Sequence, residues 1–364
     1  MKALFIGSTR GTACSLYYFT SLVRLGVDVV PFDPDYFTPR SGLEKILFRL
    51  RRGPTQDRVE EVSQKLISLC RRNHFDFAFV MAENFFGVET IEAIRTLVRN
   101  PPLFLYHSHD NNFSAGICKP ANFDETLKAH DFVFTTKSQN VERYKKIGQS
   151  RGFYVPSAFE PMVHHPVRDV DSRLLGKVVD VSFIGTYDCS RDPIFEKLGW
   201  EHLHIWGDFW RKSPHFGKHA NRISPEAVFY FEFADIISHS RINLGLLREE
   251  AEDRHTQRTF EIPACGGFQV APRNEEIASY FKDGEEIALF GSVEEMCDKV
   301  RFFLKNESVR QKIAKAGFER CLNGHHTYMD RVSQMLEIAG LKISQSTRSH
   351  ASAEKVPEKV PVVF

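Results

Sequence analysis

Short apolar runs alternate with amphipathic stretches along the first half of this chain. The apolar runs, each typical of a strand buried on both faces, are ALFIG (3–7), DVVPF (28–32), FDFAFV (75–80), LFLYH (103–107) and DFVFTT (131–136). Segments with helical periodicity separate them, at 12–25, 56–73, 87–99, 122–129 and 137–147. This strand–helix–strand order predicts parallel β-α-β units.

The same alternation restarts after an irregular, proline-rich segment at 154–167. The second set of strand-like runs is VVDVSFIG (178–185), HLHIWG (202–207), RINLGLL (241–247), GFQVAP (267–272) and EIALFG (286–291). Ser292 and Glu295 form a capping box at the start of the next helix. We therefore expect an α/β protein of two doubly wound, Rossmann-like domains that face a central cleft. The predicted domains are residues 1–165 and 166–342, and the polar end, 343–364, is predicted to be disordered.

Composition excludes several classes of protein. The 48 Lys and Arg residues balance 47 Asp and Glu residues, so a net charge of +1 gives no basis for binding nucleic acid. The 7 cysteines include no C-x-x-C pair, which indicates reduced thiols. No signal peptide or membrane-spanning run is present, so we expect a cytoplasmic protein. The basic and apolar patch at 48–54 is either a solvated helix end or a peripheral membrane contact.

In doubly wound sheets the ligand crevice lies beyond the carboxyl ends of the strands. In the first half, Gly11 lies in a glycine-containing loop (7–15) that either cradles an anion or simply makes a tight turn. His109 and Asp110 follow the fourth strand, where they could contact a substrate. The Asp-x-Asp at 33–35 and the His-x-His at 107–109 lack a further ligand nearby, so no metal site is predicted.

In the second half, the loop after the first strand (183–192) offers donors to an anion. Gly185 and Thr186 present a backbone N–H and a hydroxyl, and Arg191 brings a guanidinium to the same place. After the next strand, Gly207 makes a turn between two tryptophans. Those rings either stack on a flat ligand or close the edge of the domain.

The stretch DRHTQRTFEIPACGGFQVAP (253–272) concentrates polar residues before a buried strand. Asp253 is a good N-cap, which would place Arg254, His255 and Thr256 in the first helical turn. Backbone N–H groups without partners and a cation in that turn favour an anionic ligand, for which a diphosphate is the natural candidate.

Arg258 and Glu261 lie on the same face of this predicted helix as Arg254. Glu261 could accept two hydrogen bonds from a ribose diol. The alternative is a surface ion pair between Arg258 and Glu261, which would contribute little to stability. Pro263 and the Gly266–Gly267 pair are expected to end the helix.

Together with EEIASYFKDGEEIALFGSVEEM and AGFERCLNGHHTYMDRV, this stretch resembles GT-B glycosyltransferases, in particular the CgeB-like, spore-maturation-type branch. The resemblance is strong over 178–338 and looser over 1–170. It implies an E-x7-E pair at the donor site of a retaining enzyme. Glu261 matches the acid that binds ribose, and Asp253 stands where the family has a Glu that contacts the transferred sugar.

The resemblance also implies a cation on the donor diphosphate, either Arg191 or Arg254. It implies transfer without a metal or other cofactor, because arginines and backbone amides can stabilise the leaving diphosphate. The nucleotide-sugar donor would bind to the C-terminal domain. The N-terminal domain, with Gly11, His109 and Asp110, would present a sugar, protein or lipid-linked acceptor.

The sequence therefore predicts a metal-independent glycosyltransferase of the hexosyl, retaining type. Two alternatives remain open. One is a nucleotide-sugar epimerase of the same architecture, and the other is a nucleotide-sugar-binding protein without activity. The Asp253 in place of Glu is the sequence feature that favours the last of these.

Overall fold

The computed structural model describes residues 1–9, 14–33, 42, 55–81, 87–108, 123–168, 171 and 178–342. The described residues form two compact units, and each contains one parallel six-stranded sheet. The first unit comprises Met1–Pro156 and the helix that begins at Tyr328, and the second comprises Ser157–Thr327. Among the described residues, no helix is both long and apolar enough to cross a membrane.

The first unit has the strand order β2-β1-β3-β4-β5-β6. Its strands are β1 (Lys2–Ile6), β2 (Asp28–Phe32), β3 (Phe77–Val80), β4 (Leu103–Ser108), β5 (Phe132–Thr135) and β6 (Gly152–Tyr154). Its first helices are α1 (Ser15–Arg24), α2 (Gln56–Arg72), α3 (Val88–Leu97), α4 (Phe123–Ala129) and α5 (Ser138–Lys146). The five predicted strands and the intervening helices are confirmed, and runs such as β3 are buried on both faces as expected. The predicted burial of DVVPF (28–32) on both faces is wrong, because β2 is an edge strand without a buried residue.

The second unit has the strand order β12-β11-β10-β7-β8-β9. Its strands are β7 (Val179–Ile184), β8 (Leu203–Trp206), β9 (Ile223–Ser224), β10 (Ser240–Leu244), β11 (Gln269–Pro272) and β12 (Ala288–Phe290). Its helices are α6 (Asp192–Leu198), α7 (Tyr230–Ser238), α8 (Arg258–Ala264), α9 (Glu275–Tyr280), α10 (Val293–Lys305) and α11 (Glu307–Asn323). The capping box at the start of α10 forms, since Ser292 Oγ accepts from the Glu295 N–H at 3.2 Å.

Two strands were not predicted because they are short. The edge strand β6 has three residues and ends where the segment predicted to be irregular begins, and β9 has only two. Pairing with a longer neighbouring strand, rather than an apolar run of its own, makes each of them a strand.

The last helix, α12 (Tyr328–Ile338), belongs to the first unit. The Tyr328 ring packs 5.0 Å from the Tyr17 and Tyr18 rings of α1. Residues 157–165, in contrast, belong to the second unit, where the Phe159 N–H donates to the His326 carbonyl at 3.1 Å. The division between the units thus differs from a single boundary at residue 165.

The order of strands in the second sheet positions a crevice. The chain runs from β7 through β8 to β9 on one side, and then returns to place β10 on the other side of β7. β7 and β10 run parallel, with Ile242 opposite Val181 and Asn243 opposite Ser182. The loops that follow these two strands diverge at such a reversal, and ligands of open α/β sheets bind there.

Candidate functional site

A pocket of about 260 Å³ lies at this reversal, beyond the carboxyl ends of β7 and β10 in the second unit. One side, here called the Arg191 wall, consists of Phe183, Ile184, Gly185, Thr186 and Arg191. The other side, here called the Arg258 wall, consists of Leu244, Leu246, Arg248, Asp253, Thr256, Gln257 and Arg258. Two loops that are far apart in sequence therefore meet at one site.

The backbone of the Arg191 wall is held from behind by the turn at Gly207. The Gly185 N–H donates to the Trp206 carbonyl at 2.9 Å, and Trp210 Nε1 donates to the Gly185 carbonyl at 2.8 Å. Gly207 has a φ of +153°, and a Cβ added there would lie 2.0 Å from the Gly185 oxygen. Gly207 does not line the pocket but lets two backbones approach closely. Trp210 is fully buried, so it closes the domain core.

Arg191 is a buried cation in this wall. Arg191 is 4% exposed, and its Nη1 donates to the Thr186 carbonyl at 2.6 Å. The guanidinium carbon lies 5.0 Å from the centre of the Phe183 ring. Nε is buried and has no hydrogen-bond partner among the described residues. Burial lowers the pKa of Arg191 to about 10, only partly offset by Asp188. A guanidinium in this position favours an anion.

The Arg258 wall begins with an ion pair between Arg248 and Asp253. Arg248 Nε lies 3.1 Å from Asp253 Oδ2, and the Asp253 side chain is only 1% exposed. The Asp253 N–H also donates to the Arg248 carbonyl at 3.1 Å. Asp253 therefore lines the pocket with a carboxylate that already binds a cation.

The predicted helix start at Asp253 is wrong, because α8 begins at Arg258. The Asp253 carboxylate contacts Arg248 and does not cap a helix. The Thr256 N–H donates to Thr259 Oγ1 at 3.2 Å. Arg254 consequently lies in an irregular segment, is exposed and does not line the pocket. Its predicted place on a shared helical face with Arg258 is therefore also wrong. As predicted, the helix ends near Gly266, whose φ is +74°, but Pro263 lies inside its last turn.

His255 has a structural environment. Its Nε2 accepts the Ser157 N–H at 3.0 Å, and its Nδ1 lies 2.8 Å from Glu276 Oε2. The acceptance at Nε2 leaves Nδ1 to carry the proton and to donate to the carboxylate. His255 is buried and does not line the pocket. Its contacts hold the loop in place and do not reach a ligand in the pocket.

Arg258 and Glu261 form an ion pair between a half-buried cation and a buried carboxylate, rather than the surface pair considered from the sequence. Arg258 Nη1 contacts Glu261 Oε2, and the Glu261 side chain is 4% exposed. Arg258 Nε also donates to the Ile184 carbonyl at 3.3 Å. Its guanidinium carbon lies 4.3 Å from the centre of the Phe233 ring of α7. Arg258 thus links the two walls, whereas Glu261 lies behind the pocket and its role toward a ribose stays a prediction.

The pocket contains residues that the sequence reasoning missed. Arg248 and Gln257 line it without having been proposed. Arg248 could have been found, because it directly follows the strand-like run 241–247, as the other candidates follow theirs. Gly11, His109 and Asp110 lie outside the described residues. Within the described ranges, no three His, Cys, Asp or Glu side chains are placed to hold a metal ion.

The arginines of the pocket differ in whether a carboxylate of the protein neutralises them. Of its arginines, Arg248 and Arg258 each contact a carboxylate, whereas Arg191 forms no ion pair with any carboxylate in the described chain. Thr186 and Thr256 add hydroxyl groups on opposite walls. This combination can hold an anion with several oxygen acceptors at the end of a parallel sheet.

Comparisons with known proteins agree with this architecture. Residues 191–337 match the family model described as glycosyl transferase-like. A search of curated protein sequences gave no match. Among solved structures, HepE of Anabaena in complex with UDP is 13% identical, with a TM-score of 0.63 over 93% of this chain and 100% of that chain. HepE has also been solved with UDP-glucose.

Two further solved structures are similar over most of their length. Sucrose-phosphate synthase from Thermosynechococcus elongatus is 13% identical, with a TM-score of 0.62 over 93% of this chain and 98% of that chain. A glycosyltransferase from Rickettsia africae is 10% identical, with a TM-score of 0.62 over 94% and 99% of the two chains. The predicted fold class is confirmed: two parallel six-stranded sheets with flanking helices give this chain the GT-B glycosyltransferase fold.

Proposed function

We propose that this protein is a glycosyltransferase whose donor is a nucleoside-diphosphate sugar bound in the pocket between the Arg191 and Arg258 walls. The GT-B fold and the glycosyl transferase-like match over 191–337 support this proposal. Structures of similar proteins contain UDP or UDP-glucose, so a uridine diphosphate sugar is the donor to test first. A fold alone does not fix function, so the proposal depends on the chemistry of the pocket.

The observation that carries the proposal is the buried Arg191 guanidinium. A buried cation without a carboxylate is unfavourable in an empty site. A diphosphate would supply the missing negative charge and acceptors for Nε, which is buried without a partner among the described residues. The Thr186 and Thr256 hydroxyls are placed around the same space. The Gly185 N–H, which the sequence placed on the anion, donates to the Trp206 carbonyl instead.

The same residues would assist the reaction. When the bond between the sugar C1 and the β-phosphate oxygen breaks, its electron pair stays on the diphosphate. The negative charge that grows there is stabilised by fixed cations, of which Arg191 and Arg258 face the pocket from opposite walls. Because both guanidinium groups are already held by carbonyl oxygens, little reorganisation is needed as the charge develops.

Several finer features are part of the proposal. We propose transfer of a hexose with retention and without a metal, in keeping with the resemblance to the CgeB-like branch. Glu261 is proposed to contact the ribose while it keeps its ion pair with Arg258. The acceptor would be presented by the first unit, with Gly11, His109 and Asp110 as candidate contacts. Addition of EDTA should leave the activity unchanged if no metal takes part.

Incubation with radiolabelled nucleotide sugars tests the proposal against its alternatives. Release of free nucleotide together with a new labelled glycoside supports transfer. An isomerised donor without loss of nucleotide would instead indicate an epimerase. Tight binding without any turnover, over a broad set of sugar, protein and lipid-linked acceptors, would indicate a non-catalytic binding protein.

A further inference from the structure

His164 lies behind the Arg258 wall, in the segment that enters the second unit. It is buried, and its Nδ1 accepts the Glu160 N–H at 2.9 Å. A neutral imidazole that accepts at Nδ1 carries its proton on Nε2. That edge of the ring faces Glu261, with Nε2 3.4 Å from Oε1. The backbone of the segment thus sets which nitrogen is presented to the carboxylate.

The imidazole is held in the neutral form. Burial lowers the pKa of His164, although Glu261 opposes this shift and Arg258 adds to it. The ring packs edge-on against Phe233, with ring centres 5.6 Å apart and an interplanar angle of 84°. The same Phe233 ring supports the Arg258 guanidinium from 4.3 Å. Phe233 therefore contacts both His164 and Arg258, the two neighbours of the buried Glu261 carboxylate.

These contacts divide the Glu261 carboxylate between two partners. Oε2 contacts Arg258 Nη1, and Oε1 faces His164 Nε2. Without the imidazole, Oε1 would be buried without its polar N–H neighbour, and the carboxylate could turn to take both Arg258 Nη groups. A bidentate pair of that kind would turn the guanidinium toward Glu261 and away from the pocket that it lines.

We propose that His164 is a positioning residue for the donor site: its Nε2–H fixes the Glu261 carboxylate so that Arg258 remains directed at the diphosphate. This inference rests on the proposed function and adds to it a residue that touches neither the pocket nor the nucleotide. His164 acts through Glu261, and Glu261 acts through Arg258.

The test combines His164→Phe, which keeps an aromatic ring of similar size, with titration of UDP by calorimetry. We expect UDP affinity to fall about tenfold, because Glu261 loses its close polar contact with the imidazole and Arg258 is no longer oriented. His164→Gln, whose amide can still donate to Glu261, should restore part of the affinity. His165→Phe is the matched control and should bind UDP as the wild type does, because His165 Nδ1 contacts the adjacent Pro166 carbonyl and His165 does not line the pocket.

A double-mutant cycle with Arg258→Ala separates positioning from general structural damage. If His164 acts through Arg258, then His164→Phe should cause no further loss of UDP affinity when Arg258 is already Ala. An equal loss in both backgrounds would overturn the inference. So would a His164→Phe protein that binds UDP as tightly as the wild type.

A second measurement needs no ligand and separates this inference from the proposed function. In the wild type near neutral pH, ¹⁵N NMR of the imidazole should show a neutral ring with its proton on Nε2. A charged ring, or a proton on Nδ1, would overturn the inference even if UDP binds. A wild type with the expected tautomer that binds no UDP would contradict the proposed function instead, and with it the assigned purpose of His164.

Discussion

The two walls of the pocket hold their arginines by opposite means. In the Arg191 wall a buried guanidinium rests on a carbonyl oxygen and an aromatic ring, with no carboxylate pairing among the described residues. In the Arg258 wall each arginine contacts an acid, Asp253 or Glu261, that is itself almost fully buried. The first arrangement leaves a cation that a ligand can neutralise. The second neutralises its cations within the protein and uses the pairing to orient them.

The largest effect is expected from the turn that supports the Arg191 wall. Gly207→Ala would place a Cβ 2.0 Å from the Gly185 oxygen at a φ of +153°. Because both atoms belong to backbone, we expect a loss of about 3 kcal/mol or more in the free energy of unfolding, measured by urea denaturation. Gly217→Ala is the control, since a Cβ there meets nothing within 4 Å. Equal stability of the two variants would show that the wall does not depend on this contact.

Arg191→Met tests directly whether the unpaired cation serves a ligand. UDP affinity should fall about 100-fold, because a charged donor to the diphosphate is lost. The free energy of unfolding without ligand should be unchanged or higher, since a buried charge is replaced by an apolar chain. Arg310→Met is the matched control: Arg310 is also buried and donates to a carbonyl, that of Phe303 at 2.6 Å, but does not line the pocket. If Arg191→Met binds UDP normally, the Arg191 wall has no part in anion binding.

Arg258→Ala should behave in the opposite way and destabilise the ligand-free protein. It leaves the buried Glu261 carboxylate without its cation, and we expect a loss of about 2 kcal/mol in the free energy of unfolding. Adding Glu261→Gln should recover much of this loss, because the uncompensated charge is removed. Arg301→Ala, which breaks an exposed pair with Asp298 at the same spacing, should give no measurable change. Similar results for both arginines would remove the distinction between a buried and a surface pair.

Near pH 6.5, a pH effect on stability is expected from the residues behind the Arg258 wall but not from the Arg191 wall. Burial lowers the pKa of His164 below its ordinary value of 6.5, so the unfolded chain takes up a proton at a higher pH than the folded protein does. Stability is therefore lost as the pH falls below 6.5. His164→Phe should lose less stability than the wild type over that interval in pH-dependent urea unfolding. Arg191→Met, in contrast, should follow the wild-type slope near pH 6.5, because the neighbouring Asp188, whose pKa is lowered, titrates only at more acidic pH.

The smallest effect is expected at Arg254, which the sequence placed on the diphosphate and the structure places outside the pocket. Arg254→Ala should change UDP affinity by less than about twofold, as exposed substitutions commonly do. Arg248→Ala, six residues earlier on the pocket lining, should weaken binding more. The reverse order of these two variants would restore the original assignment of Arg254.

Much of the fold was predictable because its information is local. Continuous apolar runs identified ten of the twelve strands in the described part of the chain, and helical periodicity identified the helices between them. The rule that ligands bind after the strands also selected Gly185, Thr186, Arg191 and Arg258, all of which line the pocket. The two missed strands, β6 and β9, owe their structure to pairing with neighbours.

The site was less predictable where a residue has two competing partners. Asp253 was expected to cap a helix, yet its carboxylate contacts Arg248, and the helix begins at Arg258. His255 was expected beside a nucleotide, yet Ser157 and Glu276 occupy both of its nitrogens. Ser157 is remote in sequence, so no local pattern could have indicated that contact.

The sequence by itself determined that this chain forms two parallel α/β sheets, and it determined which loops follow the carboxyl ends of their strands. Both are predictable because hydrophobic periodicity depends only on the order of residues along the chain. Only the tertiary structure decided which charges in those loops are neutralised. Arg191 remains without a carboxylate partner in the described chain, whereas Glu261 is shared between Arg258 and His164. The physical reason is that Coulomb interactions and desolvation depend on distance and burial in space, which order along the chain does not reveal.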